Sequence, residues 1–88
     1  MKALEVWYSG NVQGVFFRAN TQDISKQYAV SGYVQNLHDG RVHLFAQGDH
    51  AEIERFLAAV SERMRSNINA VEQISVPVDQ DLDGFEIR

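Results

Sequence analysis

A glycine-bearing segment near the start of the chain has the composition of an anion-binding loop. It runs from Gly10 to Arg18, contains a second glycine at Gly14, and leads into a helical pattern. Such a loop turns successive main-chain N–H groups toward one point, and the N-terminus of the following helix adds partial positive charge. Arg18 would complete this cradle with a planar fork of donors that stays charged. The spacing alone also allows a tight connection with a solvated arginine.

A second candidate is the side-chain amide of Asn36, which shares its strand parity with the apolar Val34. An amide on a face that should be buried costs about 1–3 kcal/mol unless it finds partners. Asn36 therefore either bonds to main-chain groups or lines a polar site. Because asparagine takes no proton at neutral pH, its role in a site would be to orient a water molecule or to donate to an oxyanion.

The hydrophobic pattern of the chain predicts the order strand, helix, strand, strand, helix, strand, with a short strand added at the end. The strands are expected at residues 3–9, 33–37, 41–47, 74–78 and 85–87, and the helices at 18–30 and 50–64. Residues 66–69 are expected to form a polar connection.

Three local signals bear on the ends of these elements. Asp39-Gly40 favours a hairpin turn, because both positions tolerate positive φ. Asp49 with Glu52 three residues later is typical of a capping box at the start of the second helix. Pro77 interrupts the strand predicted after this helix, so that strand is expected at a sheet edge.

The element order predicts an α+β protein with the ferredoxin-like split βαβ (βαββαβ) arrangement, in which two helices cover one face of a mainly antiparallel sheet. In this topology the first two strands point the same way, with the third between them. The segment 10–18 and Asn36 therefore converge at one edge of the sheet, on the order of 10 Å apart. This gap suits a small ligand.

The composition restricts the partners of the chain. Its 88 residues are too few for two independent cores, so we expect one domain over residues 1–88 that works as a monomer. A net charge of −4 and a pI of about 5.2 oppose binding to nucleic acid or to an anionic membrane. The sequence contains no cysteine and no run of about eighteen apolar residues. We expect a cytoplasmic protein.

Two motifs of the sequence resemble those of the acylphosphatase family. Residues 10–18, GNVQGVFFR, match G-x-V-Q-G-V-x-F-R at every specified position. Residues 32–42, GYVQNLHDGRV, resemble G-x-V-x-N-x-x-D-G-x-V. Thr21 and residues 85–88 are also similar to the family, whereas residues 65–69, RSNIN, stand where the family commonly has Gly-Pro-Pro. The resemblance covers nearly the whole chain.

The resemblance implies an enzyme that hydrolyses the carboxyl-phosphate bond of small acyl phosphates to a carboxylate and inorganic phosphate. It implies that Arg18 binds the phosphoryl group and that Asn36 positions the attacking water. No side-chain base, cofactor or metal is implied, because a phosphate oxygen of the substrate accepts the proton. The phosphate would be bound by Gln13, Gly14, Val15, Phe16, Phe17 and Arg18. The alternative is a non-catalytic ferredoxin-like module that binds a small anion, since a cradle alone would account for the glycines and Arg18.

Other side chains could be mistaken for site residues. His38 lies in the predicted turn, two residues after Asn36, and we expect it to be solvated rather than catalytic. His43 has no second ligand at metal-binding spacing, so we expect a surface histidine. Trp7 and Phe45 are expected on the sheet face away from the helices, where related folds stack RNA bases, but the acidic pI opposes that function.

Overall fold

The helices and strands follow one another in the predicted order. A computed structural model describes residues 1–88. The strands are β1 (Lys2–Gly10), β2 (Val30–Asn36), β3 (Val42–Gly48), β4 (Ile68–Val76) and β5 (Phe85–Ile87), and the helices are α1 (Phe17–Ser25) and α2 (His50–Arg63). Neither helix has the length and apolar character that crossing a membrane requires.

The strands form one five-stranded sheet in the order β4-β1-β3-β2-β5. β3 is antiparallel to both of its neighbours, with Leu44 opposite Val6 on one side and Val34 on the other. β1 and β2 therefore run in the same direction and end at the same edge of the sheet. β5 pairs in parallel with the outer side of β2, with Ile87 opposite Val34. The loop after β1 and the ends of β2 and β5 consequently meet at one edge.

The core lies between the helices and one face of the sheet. Alternate residues of β1 point to this face, among them Val6 and Tyr8, which are each 1% exposed. The helices contribute apolar residues at helical spacing, namely Phe17 and Ile24 from α1 and Ile53, Phe56, Leu57 and Val60 from α2. This is the predicted arrangement of two helices over one face.

The opposite face of the sheet carries a cluster of rings. Trp7 lies on it, as the alternation predicted, but His43 is buried there rather than solvated. The His43 ring lies 5.1 Å from the Trp7 ring and 5.8 Å from the Tyr33 ring. Its nitrogens lie 3.0 Å from Gln35 Nε2 and 3.4 Å from Glu5 Oε1. The prediction of a surface histidine is wrong because the neighbouring strands supply both rings that cover it and polar partners.

Helix α1 is shorter than the apolar spacing indicates. It covers Phe17–Ser25, whereas the spacing predicted residues 18–30. The chain then makes tight turns, and Val30 already pairs with β3. Tyr28 continues the apolar spacing because it packs against the core from this turn, with its ring 6.3 Å from the Phe56 ring.

Strand β4 begins earlier than predicted. It covers Ile68–Val76 rather than residues 74–78, and Pro77 follows the strand instead of interrupting it. The polar segment 66–69 therefore includes the first residues of the strand, because β1 is paired along nearly all of its length and needs these main-chain partners. The predicted edge position of this strand is confirmed.

The capping box predicted for α2 is absent. Asp49 precedes the helix, but its side chain forms no capping hydrogen bond. Glu52 instead accepts hydrogen bonds from the N–H of Ala29 at 2.8 Å and from Arg55 Nη1 at 3.0 Å. These two bonds hold the pKa of the Glu52 carboxyl below its ordinary range. Glu52 therefore ties α2 to the connection before β2.

Candidate active site

The loop after β1 begins at a glycine that the packing requires. Gly10 ends β1 with a φ of 127°, which residues with a side chain rarely adopt. A β-carbon on Gly10 would collide with the main-chain oxygen of Asn67 in the turn before β4. The segment 65–69, which departs from the family pattern, thus packs directly against the start of the loop.

The loop itself contains two left-handed positions just before α1. Gly14 has a φ of 73°, and Phe16 has a φ of 62° and a ψ of 24°. Left-handed residues between right-handed ones bring consecutive main-chain N–H groups to one side of the chain. None of the N–H groups of residues 14–19 donates to an acceptor in the protein. The loop and the first turn of α1 therefore offer a set of main-chain donors to an anion.

The side chain of Gln13 ties this loop to the hairpin between β2 and β3. Its Nε2 donates to the main-chain oxygens of Leu37 at 2.8 Å and Arg41 at 2.9 Å. The hairpin turn is closed by the N–H of Leu37, which donates to the oxygen of Arg41 at 2.9 Å. The amide of Gln13 uses both of its hydrogens in this way. It therefore fixes the position of the loop relative to the end of β2.

Arg18 extends from the first turn of α1 toward the end of β5. Its Nη1 donates to the main-chain oxygen of Arg88 at 3.0 Å. Arg41, Arg55 and Arg63 each pair with an Asp or Glu carboxylate, whereas Arg18 pairs with no Asp or Glu side chain. Its other donors are therefore available for an anion.

Asn36 is the last residue of β2, opposite Val42. It shares its parity with Val34, which is fully buried, but Asn36 itself is exposed because the core ends before it. The neighbouring amide of Gln35 lies 3.0 Å from a nitrogen of His43, whereas the amide of Asn36 has no hydrogen bond to another residue. The polar side chain thus lies where the core gives way to an open cleft.

Arg18 and Asn36 line the same cleft. It has a volume of about 290 Å³ and is lined by Val12, Gly14, Phe16, Phe17, Arg18, Ala19, Asn36 and Ile87. Two predicted site residues are outside this lining: Gln13 acts as the tether, and Val15 packs against the core. His38 is exposed and also outside it. Arg18 is the one charged side chain in the lining.

The cleft rests on tightly packed side chains. Val12 and Phe17 are 1% and 2% exposed, and the Phe17 ring lies 5.0 Å from the Tyr8 ring. Burial raises the pKa of the Tyr8 phenol above its ordinary range, so this group stays neutral beneath the cleft. Val12 and Phe17 flank the two left-handed residues and are fixed in the core, so the loop between them has a defined shape.

The end of the chain also reaches the cleft, which the hydrophobic pattern does not predict. Ile87 is part of the lining, and the main-chain oxygen of Arg88 holds Arg18. Both residues reach the cleft because β5 runs parallel to β2, where the N–H of Arg88 donates to the oxygen of Val34 at 2.8 Å. A three-residue strand can extend either edge of the sheet, so its pattern alone does not reveal this position.

Comparison with known proteins shows the family. The family model described as Acylphosphatase matches residues 4–87. The chain belongs to the acylphosphatase family. An acylphosphatase of Haloarcula marismortui is 38% identical to it over 84 residues, which cover 94% of this chain and 91% of the relative. An acylphosphatase of Synechococcus sp. is 40% identical over 86 residues, which cover 97% and 90%.

Solved structures agree with this assignment. The crystal structure of an acylphosphatase from Bacillus subtilis matches with a TM-score of 0.88 and 25% identity, covering 100% of this chain and 99% of that one. The predicted ferredoxin-like α+β fold is confirmed. The chain is thus an acylphosphatase, a hydrolase, and the family implies an acyl phosphate as its substrate.

Proposed function

We propose that this acylphosphatase hydrolyses the carboxyl-phosphate bond of small acyl phosphates in the cleft between the loop 13–18 and Asn36. The observation that carries the proposal is that Arg18, the free amide of Asn36 and unbonded main-chain donors meet in one cleft. A phosphoryl group has oxygens in several directions and needs donors from several sides. The proposed site offers donors from the loop and from a guanidinium.

In this proposal the loop and Arg18 bind the phosphoryl group. The main-chain N–H groups of residues 13–18 donate to its oxygens, and the Arg18 fork donates from the other side. The positive charge of Arg18 and of the α1 N-terminus offsets the charge of the substrate, which a chain of net charge −4 would otherwise repel. The hydrogen bond to Arg88 holds the fork in place before the substrate arrives.

Asn36 positions the water that attacks the phosphorus. The water oxygen approaches in line with the bond between phosphorus and the acyl oxygen. As the bond between the water oxygen and phosphorus forms, the bond between phosphorus and the acyl oxygen breaks, and the carboxylate leaves with the electron pair. One proton of the water passes to a phosphoryl oxygen, so the products are a carboxylate and inorganic phosphate. A carboxylate is a good leaving group, so the step requires no side-chain acid or base.

We propose that residues 1–88 act as one domain and as a monomer without a metal or cofactor. The support is one core cluster that takes residues from both helices and from three strands, β1, β2 and β3. No group of three or more His, Asp or Glu side chains is placed to hold a metal ion. The cytoplasmic location stays a prediction of the sequence.

The test is the release of inorganic phosphate from benzoyl phosphate. We expect saturable turnover that inorganic phosphate inhibits competitively, that persists in excess EDTA, and that belongs to the monomer peak in size-exclusion chromatography. Saturable binding of phosphate with no turnover would favour the anion-binding module instead. Activity that EDTA abolishes would contradict the proposed metal-independent step.

A further inference from the structure

Two large apolar side chains of the cleft are exposed. Phe16 is 80% exposed and Ile87 is 42% exposed, and both are part of the lining. Neither belongs to the core cluster of the fold. The apolar surface next to the phosphoryl cradle is therefore open to whatever the cradle binds.

The backbone conformation of Phe16 does not favour a bulky side chain. Its φ of 62° is one that a bulky residue adopts at a cost and that glycine adopts freely. A glycine at this position would form the same turn without the strain and without exposing a ring to water. Backbone strain of this kind clusters at functional sites.

We propose that the ring of Phe16 and the side chain of Ile87 contact the acyl group of the substrate, and that the enzyme therefore prefers acyl phosphates with an apolar, above all aromatic, acyl group. This inference rests on the proposed function, because it takes the phosphoryl group to lie at the main chain of residues 13–18. The acyl group then projects from the cradle toward its exposed rim. Two aromatic rings that stack or pack edge to face gain binding free energy beyond that of the buried apolar area. Arg18 is the one charged side chain in the lining, and in our proposal it holds the phosphoryl group. A charged acyl group would therefore find no side chain of opposite charge in the cleft to bind it.

The experiment compares kcat/KM for benzoyl phosphate with kcat/KM for acetyl phosphate. The preference is the value for benzoyl phosphate divided by the value for acetyl phosphate. Dividing the preference of the wild type by the preference of a variant cancels the different intrinsic reactivities of the two anhydrides. For Phe16→Ala we expect the preference for benzoyl phosphate to fall by about 5- to 10-fold, mainly through a higher KM. For Ile87→Ala we expect a smaller fall of about 2- to 3-fold, since it removes a smaller and less exposed surface.

Two further variants keep the result interpretable. Ile74→Ala removes an isoleucine that is 51% exposed on β4, far from the lining, and should leave the preference unchanged. Phe16→Gly removes the ring but permits the left-handed backbone, so it replaces Phe16→Ala if circular dichroism shows that the alanine variant does not fold. It should lower the preference by the same factor.

The possible failures are distinct. A wild type that hydrolyses neither substrate would overturn the proposed function itself. A wild type that hydrolyses both, with the preference unchanged in Phe16→Ala and Phe16→Gly, would overturn only the acyl contact. An equal loss for both substrates together with weaker inhibition by phosphate would also overturn it, because the ring would then support the loop instead of touching the acyl group.

Discussion

The guanidinium of Arg18 is held by the main-chain oxygen of Arg88, 70 residues away in the sequence, through a hydrogen bond of 3.0 Å. This contact joins the first turn of α1 to the residue that follows β5. One donor of the fork is therefore occupied within the protein, and the others form no hydrogen bond to another residue. A side chain fixed in this way loses less conformational entropy when it binds a substrate.

Replacing Arg18 by lysine should damage both binding and turnover. A lysine ammonium carries the same charge but has no planar fork, so it cannot hold the Arg88 oxygen and a phosphoryl group in the same geometry. We expect Arg18→Lys to lower kcat/KM for benzoyl phosphate by about 10²- to 10³-fold and to raise the inhibition constant of inorganic phosphate. Steady-state kinetics measures both.

The matched control for this change is Arg65→Lys. Arg65 is 78% exposed and pairs with Glu62 on the surface, outside the cleft, so its replacement should leave the kinetics near those of the wild type. If Arg18→Lys retains wild-type inhibition by phosphate, the fork does not bind the phosphoryl group.

Replacing Asn36 by alanine should separate turnover from binding. In the proposed mechanism its amide acts on the water and not on the phosphoryl group. We expect Asn36→Ala to lower kcat by about 10²- to 10³-fold, with little change in the inhibition constant of phosphate. Gln73→Ala, which removes an exposed amide on β4, is the control and should retain kcat. Unchanged turnover in Asn36→Ala would remove this residue from the mechanism.

The sequence predicts the meeting of Arg18 and Asn36 because the loop that leads to Arg18 follows β1, Asn36 ends β2, and these two strands run in the same direction. Hydrophobic alternation locates the strands, and the order of the elements along the chain predicts which strand ends are neighbours. Local pattern is enough for this part of the site. The edge position of β4 was also predicted, although Pro77, from which it was inferred, lies just after the strand.

Features that depend on contacts distant in sequence could not be predicted in this way. The pairing of Glu52 with the N–H of Ala29 overrides a capping box that the local spacing favours. The burial of His43 requires rings from two other strands. The contribution of Ile87 to the cleft requires knowing which edge a short strand extends. Ala29 is 23 residues from Glu52, Trp7 comes from a strand that is distant in sequence from His43, and Ile87 lies on an element whose neighbour the sequence pattern leaves open.

Replacing Gln13 by alanine should loosen the loop. The change removes two hydrogen bonds to the hairpin between β2 and β3 and leaves the oxygens of Leu37 and Arg41 with one partner fewer. We expect the free energy of unfolding to fall by about 1–3 kcal/mol, measured by urea denaturation. We also expect weaker inhibition by phosphate, because the donors of the loop are less well positioned.

The control for Gln13 is Gln27→Ala, which removes an exposed amide in the turn after α1. It should change neither the stability by more than about 0.5 kcal/mol nor the inhibition constant. Full stability in Gln13→Ala would mean that the two short contacts do not restrain the loop.

Replacing Glu52 by glutamine should lower stability in a way that depends on pH. The N–H of Ala29, and then Arg55, hold the pKa of this carboxyl below its ordinary value of 4.5 in the folded protein. A group with a lowered folded-state pKa contributes stability above its unfolded-state pKa and loses it as the pH falls through the folded-state value. At pH 7 we therefore expect Glu52→Gln to have a lower Tm than the wild type. The gap should narrow below about pH 4.5 and close once the carboxyl is protonated in both states. Thermal unfolding by circular dichroism from pH 7 to pH 3 measures this difference in Tm.

The control is Glu72→Gln on β4, which should not show the same narrowing. A difference in Tm that keeps its full size down to pH 3 would mean that the charge of Glu52 does not hold α2 to the connection before β2.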